Sequence, residues 1–285
     1  MDSFATKNTE FFAKEALVYD DPAKCFLTKV IADNILKFDV LNQKDGDVVS
    51  NDDSVVYTSE DVDIQFSGEI DVSPLWKNKD LRVMDFACGT GLVSRNIVPH
   101  CKSLLGIDIS PQMVEFFKTK FTGNPNVQAK VIDILTSDQV PEDVHDFDIT
   151  VCSLAFHHME DPASVASTLS SRTLKPLGWL FVADIDSEGA GGFHDAQTDE
   201  DAVKSGVAHK NGFSASFMIS TLKRAGLQNV CVHRNISLEM YVPKKRYCRV
   251  PGQTEDKTKI APNGETLYAK TFSIFVAAGQ KPASS

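Results

Sequence analysis

The chain has 285 residues, 42% of them hydrophobic and 24% charged, with a formal net charge of -10. That length can bury a sizeable core, and the composition excludes disordered, collagenous and disulfide-dense classes. No apolar run approaches the roughly 18 residues that cross a bilayer, and the acidic balance argues against a nucleic-acid partner, which needs basic clusters. The start, Met1-Asp2-Ser3-Phe4, lacks the basic-then-apolar pattern of a secretory leader. Six cysteines (Cys25, Cys88, Cys101, Cys152, Cys231, Cys248) are scattered without a C-x-x-C pair, which predicts free, buried thiols and no metal site. The expectation is a cytoplasmic protein with no membrane partner; the oligomeric state stays open.

Asp21-Pro22 is a helix start signal, and Leu27, Ile31, Asn34, Ile35 and Phe38 follow at helical spacing. With an upstream piece around Phe11, Phe12 and Ala16 it defines a predicted N-terminal helical lid over 1–38. Helical periodicity then vanishes. Ten acids and one base, Lys44, lie between 39 and 72, so this stretch carries -9 of the -10. It reads as an exposed, flexible insertion over 39–73, beside a core that is nearly neutral.

From 74 to 285 short apolar runs alternate with amphipathic stretches, as repeated βα units on a parallel sheet do. Strands are predicted at 82–86, 103–108, 127–132, 147–153 and 178–185, with helices at 92–98, 111–120 and 163–174. A Gly/Asp-rich stretch over 186–212 reads as an insertion on the substrate side. A helix capped by Ser214 and stopped by Gly226 follows, then two β-rich segments at 229–242 and 267–279. The loop between these two contains Pro251-Gly252 and the hairpin-type pair Asn263-Gly264.

Val83-Met84-Asp85-Phe86-Ala87-Cys88-Gly89-Thr90-Gly91 runs from an apolar strand into a glycine turn that opens a helix. Glycines there let backbone N–H groups approach a ligand closely. The next strand ends in Gly106-Ile107-Asp108-Ile109-Ser110, where an acid can accept both hydroxyls of an adenosine ribose; its competing role is a helix N-cap before Pro111. The third ends in Asp133-Ile134, where the acid either meets an adenine amino group or is simply solvated. Ligand-type groups at three successive strand tips share one sheet edge, which is where open α/β sheets bind ligands.

The motifs D-F-A-C-G-T-G, G-I-D-I-S-P-Q-M, F-D-I-T-V-C-S-L-A-F-H-H-M-E-D-P and L-K-P-L-G-W-L-F-V-A-D resemble class I S-adenosylmethionine-dependent methyltransferases. The likeness is to the small-molecule, ubiquinone-biosynthesis-like branch and covers 81–184. It implies a Rossmann-like α/β fold with a seven-stranded, mostly parallel sheet. The implied order is 3-2-1-4-5-7-6, with the last strand antiparallel and helices on both faces. It also implies S-adenosyl-L-methionine as cofactor and a small-molecule methyl acceptor. Asp85, Ala87, Cys88, Gly89 and Gly91 would face the methionine part, and Asp108 the ribose. Ile109, Met113, Asp133 and Ile134 would enclose the adenine, and Ser153 and Leu154 would border the donor methyl. Where L-K-P-G-G is usual, this chain has Leu177, which alters a turn.

Methyl transfer from a sulfonium needs alignment and exclusion of water, and a base only where the acceptor must lose a proton. Candidate bases are His157, His158, His194 and His209, against the alternative that they shape turns and pack. Cys88 and Cys152 read as inert core residues. The Ser153-Leu154-Ala155-Phe156 sequence replaces the [N/D]-P-P-[Y/F] that holds planar exocyclic amines. Gly89-Thr90-Gly91-Leu92-Val93-Ser94 departs from the G-x-G-x-x-G/A of NAD-dependent dehydrogenases. A protein methyltransferase, or a methyltransferase-like binding or regulatory module, remains the alternative.

Overall fold

The computed structural model describes residues 4–16, 19–52, 55–58, 70–136, 141–191, 194, 197–247, 255–261 and 263–283. Cys248, the Pro251-Gly252 pair and 59–69 of the acidic stretch lie outside these. In chain order the helices and strands are α1 (Phe4–Glu15), α2 (Pro22–Lys37), β1 (Val48–Ser50), β2 (Val56–Thr58) and α3 (Pro74–Lys77). Then come β3 (Arg82–Phe86), α4 (Ser94–Ile97), β4 (Ser103–Asp108), α5 (Pro111–Lys120), β5 (Val127–Val131) and β6 (Phe147–Ser153). The chain continues through α6 (Pro162–Arg172), β7 (Leu174–Ile185), α7 (Asp199–Lys204), α8 (Ala215–Arg224), β8 (Gln228–Pro243), β9 (Thr258–Ile260) and β10 (Thr266–Gln280).

Among the described residues these strands form one sheet in the order β1-β8-β10-β7-β6-β3-β4-β5, with β2 added to β8 and β9 to β10. Seven of them, taken from β5 back to β8, reproduce the expected 3-2-1-4-5-7-6 order, and β10 is antiparallel to both β7 and β8. The other three are short additions. β1 and β2, from the acidic stretch, pair in parallel with β8, so part of the predicted insertion is sheet edge.

Alternation along each strand splits the core between the two faces. Val83, Leu104, Ile149, Phe181 and Ile274 point to one side, against α2 and α5. Met84, Leu105, Cys152, Leu180 and Phe275 point to the other, against α6 and α8. Helices therefore cover both faces, as expected. The 1–38 lid needs correction, because α2 buries Phe26, Leu27, Val30, Ile31, Ile35 and Leu36 in the first cluster and so belongs to the core. Asp21 accepts the Lys24 N–H as its N-cap, and Pro22 starts it without losing a bond. Only α1 is free to act as a roof.

The turn after β3 is fixed by sterics. Gly91 has φ 82, and a Cβ there would lie 2.7 Å from the Phe117 ring of α5. Gly106 in β4 is likewise closed in, with its Cβ position 2.8 Å from Cys88 Sγ and from Phe117. These glycines let α5 press on the turn. Gly91→Ala should cost about 1–3 kcal/mol of stability through overpacking and an incompatible φ. An unchanged urea midpoint would contradict that packing.

Asp85 sits inside β3 with no exposed surface. Its Oδ2 accepts the Ser94 hydroxyl at 2.5 Å, while Oδ1 is buried without a hydrogen-bond partner. Burial pushes its pKa up to about 7 from 3.8, opposed by Ser94 and reinforced by Asp108. The native state thus holds a proton that the unfolded chain releases, so this group makes stability fall as pH rises from 3.8 to about 7 and level off above. Asp85→Asn should flatten that component of the pH profile of urea midpoints. Asp108 shifts in the same direction and His158 in the opposite one, and both persist in the variant. Parallel profiles for the variant and the parent protein would contradict the assignment.

Candidate active site

The tips of β3, β4 and β6, with the residues following β5, open onto one cavity of about 340 Å3. Its floor is Ala87, Gly89, Asp108, Ile109 and Met113; Asp133, Ile134, Ser153 and Leu154 continue the wall. Phe12, Asn8 and Ala5 of α1, with Tyr19 behind it, close it from above. Ten of the predicted site residues therefore share one cavity, counting His158.

Asp108 is the pivot of the floor. Its Oδ2 accepts the Gly89 N–H at 2.9 Å and its Oδ1 the Ser110 N–H at 2.8 Å. The N-cap of α5 is Ser110, whose hydroxyl accepts the Met113 N–H, so the competing capping role for Asp108 falls away. Burial raises the Asp108 pKa, and the N–H groups of Ser110, Gly89 and Ile109 pull it back. Asp133 is held by its own loop, accepting from Leu135 N, Thr136 N and Thr136 Oγ1. Ala87 and Leu154 adopt positive φ of 56° and 51°. Non-glycine residues in that region carry strain of the kind concentrated at binding sites.

Asp85, Cys88 and Gly91 lie beneath the cavity and do not line it. They shape the turn from below. Burial pushes the thiols of Cys88 and Cys152 well above 9.0, which makes both poor nucleophiles, as expected. The described cysteines are all free. Among the described residues no cluster of His, Cys, Asp or Glu has a metal-binding arrangement, and no helix is long and apolar enough to cross a membrane.

The four candidate histidines separate clearly. His158 lines the cavity, and the others do not. Its Nδ1 lies 2.9 Å from the carbonyl of Gly206. A carbonyl only accepts, so Nδ1 carries the hydrogen and Nε2 keeps the lone pair. Burial drives the His158 pKa well below 6.5, with His157 adding to the effect, so the ring is neutral at physiological pH. His157 stands behind it at a ring separation of 4.2 Å, its Nδ1 donating to Asp184 at 2.7 Å. His194 packs against His157 at 5.3 Å and bonds Gln197, and burial lowers its pKa to about 4. His209 packs on Phe213 at 5.0 Å, with Nε2 buried and unpartnered.

Sequence reasoning missed Asp184, Gly206 and Asn8. Asp184 ends the V-A-D motif, so its strand-tip position was visible. Gly206 was visible only as one more loop glycine. A Cβ at Gly206 would run into Asn8 Oδ1, and Asn8 Nδ2 donates to the His158 carbonyl at 3.4 Å. Gly206 thus joins the segment before α8 to α1 and to His158.

The cavity fits S-adenosylmethionine. A Cβ on Gly89 would sit 3.9 Å from Tyr19, between the floor and the residue behind the roof. The acids at the strand tips suit ribose and adenine, and among the described lining residues no lysine or arginine would repel a sulfonium.

The methyltransferase domain family matches residues 84–180. An uncharacterized methyltransferase of Schizosaccharomyces pombe is 33% identical over 275 residues, covering 94% of each chain. A ubiquinone biosynthesis O-methyltransferase of Leptothrix cholodnii is 26% identical over 105 residues, 37% of this chain and 44% of that enzyme. Among solved structures, the YcgJ protein of Bacillus subtilis superposes with a TM-score of 0.51 at 18% identity, over 72% of this chain and 94% of that one. A Haloferax volcanii methyltransferase, solved in complex with a methyltransferase activator, gives 0.51 at 15% identity over 99% of both chains. The chain belongs to the methyltransferase family, as an enzyme of Rossmann-like fold that uses S-adenosylmethionine.

Proposed function

We propose that the protein methylates a small molecule, with His158 as general base. The carrying observation is the His158 ring, held with its free lone pair at the wall of the one cavity that the strand-tip residues share. Bound there, S-adenosylmethionine supplies an electrophilic methyl group on a sulfonium. Asp108 would hold the ribose hydroxyls in place of Gly89, and Asp133 with Ile134 would border the adenine. Ser153 and Leu154 would flank the reacting methyl.

The protein's own work is alignment, exclusion of water and removal of one proton. Phe12, Tyr19 and Met159 make the acceptor's surroundings apolar. His158 Nε2 takes the proton from an acceptor hydroxyl, thiol or N–H as the new bond forms, and the Gly206 carbonyl stabilises the resulting imidazolium through Nδ1–H. His157, anchored by Asp184, packs against the His158 ring from behind. The roof formed by α1 favours an acceptor small enough to sit beneath it. A protein substrate, the alternative, would have to thread a side chain under α1.

Release of S-adenosylhomocysteine on incubation with a metabolite extract tests the reading and finds the acceptor. Asp108→Ala should weaken S-adenosylmethionine binding by roughly tenfold or more, since a charge-assisted hydrogen bond contributes about 1.5–3 kcal/mol. Calorimetry giving the parent affinity in a folded variant would sink the ribose assignment. His158→Gln should leave that affinity intact and slow methyl transfer by about 100-fold or more. A turnover number within a few-fold of the parent would remove His158 from the chemistry.

A further inference from the structure

The linker behind α1 carries a contact network that the chemistry above does not use. Asp20 Oδ1 accepts the Thr90 hydroxyl at 2.5 Å, and Asp20 Oδ2 pairs with Lys120 Nζ at 2.7 Å. Lys120 Nζ also donates to Thr90 Oγ1 at 3.3 Å, so carboxylate, hydroxyl and ammonium close a ring of three contacts. Its members come from three places: the linker, the glycine turn and the last turn of α5. Thr90 is only 1% exposed, whereas the Asp20 side chain is 42% exposed. The clasp is thus anchored inside and reached from outside.

Tyr19, the neighbour of Asp20, lies over Gly89, with Lys24 Nζ 4.3 Å from its ring centroid. From Tyr19 an aromatic strip crosses the cavity, through Phe12 at 6.2 Å to His158 a further 5.3 Å on. α1 also meets the core through longer contacts, Asn8 to the His158 carbonyl at 3.4 Å and Lys7 to the Val203 carbonyl at 3.5 Å. Of these contacts, the one made by Asp20 is the shortest, and it ends on the very turn that makes the cavity floor. Thr90 presents its hydroxyl between Gly89 and Gly91, so any pull on Asp20 acts directly on that turn.

We propose that Asp20 is a positioning residue, which clamps α1 over the cavity through Thr90 and Lys120 so that roof and glycine turn keep one geometry. The effect on cofactor affinity rests on the cofactor assignment; the effect on α1 does not. Release of the clamp lets α1 leave the cavity, exposing bound cofactor to solvent and removing the Phe12 and Tyr19 wall. An ion pair this accessible also weakens with added salt.

The test compares the full-length protein with Asp20→Ala, Asp20→Asn, Lys120→Met and the exchanged pair Asp20→Lys with Lys120→Asp. Trypsin cleavage after Lys7 or Lys14 in ligand-free protein reads the roof, and calorimetry with S-adenosylhomocysteine reads the site. Asp20→Ala and Lys120→Met should be cleaved in α1 about tenfold faster and bind S-adenosylhomocysteine about tenfold more weakly. The thermal midpoint of the core should stay where it was, and the exchanged pair should recover most of both losses. Cleavage and affinity unchanged in a folded Asp20→Ala protein would overturn the clamp. So would an exchanged pair as impaired as the single changes. Should Asp20→Ala fail to fold, Asp20→Asn, which keeps the shape and loses the charge, decides in the same way. A parent protein that does not bind S-adenosylhomocysteine would refute the cofactor assignment and leave the cleavage comparison to judge the clamp.

Discussion

The site depends on one carboxylate. Asp108 receives N–H groups from Gly89 and Ser110, which belong to the loops after two neighbouring strands. A partly buried carboxylate costs free energy unless such donors surround it. Satisfying it therefore fixes the glycine turn and the start of α5 together. From α5, Phe117 then fills the space that Gly91 and Gly106 leave open, and Met113 reaches the cavity floor. Removing the N–H donors or the glycines would undo the same arrangement from either side. On the proposed reading, a ribose with two adjacent hydroxyls takes the place of the Gly89 N–H and keeps the carboxylate paired.

Beneath that floor the chain keeps a second acid at odds with its surroundings. Asp85 has one oxygen on Ser94 and one with no partner, directly under the turn. Its cost is the usual one for a buried polar group left half satisfied. Native proteins tolerate such a cost chiefly where a site requires it. The turn above Asp85 is where a cationic ligand end would come closest, and a positive charge there would favour the ionised carboxylate. The acid at the end of β3 and the acid at the end of β4 thus act on one turn, from below and from the side.

The sheet was legible because burial on both faces writes apolar strands such as β3, β4 and β6, and acids stand at or just after the ends of β3, β4 and β5. Strands β3, β4 and β6 and helix α5 match their sequence bounds, and the strand order followed from the family resemblance. β1 and β2 were not legible. Each has three residues, none of those in β1 is buried, and both take their register from β8, a partner far away in sequence. The lid was legible only in part, since apolar residues at helical spacing mark α2 as a helix without saying that it is buried in the core. The strand-tip acids could be read from position alone. The choice among four histidines could not, because it rests on which ring a distant glycine carbonyl happens to meet. Asp20 was hidden for the same reason: an acid before a helix reads as a cap or a solvated charge until Thr90 and Lys120 are brought beside it.

The division of labour follows from these contacts. The floor is built from strand tips, held by the sheet and by the contacts of Asp108 with Gly89 and Ser110. On the proposed reading, the acceptor half is built from α1, from the His157-His158 turn and from the segment that reaches Gly206, three pieces tied by side-chain bonds and by the Ala208 and His209 N–H groups on the His157 carbonyl rather than by sheet. Local stability is lowest where few backbone ladders hold an element, and α1 is held by no strand ladder. In the same reading, an acceptor enters between α1 and His158, and its proton leaves through the His158 ring. Roof, base and entrance, as proposed, meet at Gly206, whose missing side chain leaves room for Asn8 of α1 and whose carbonyl orients His158.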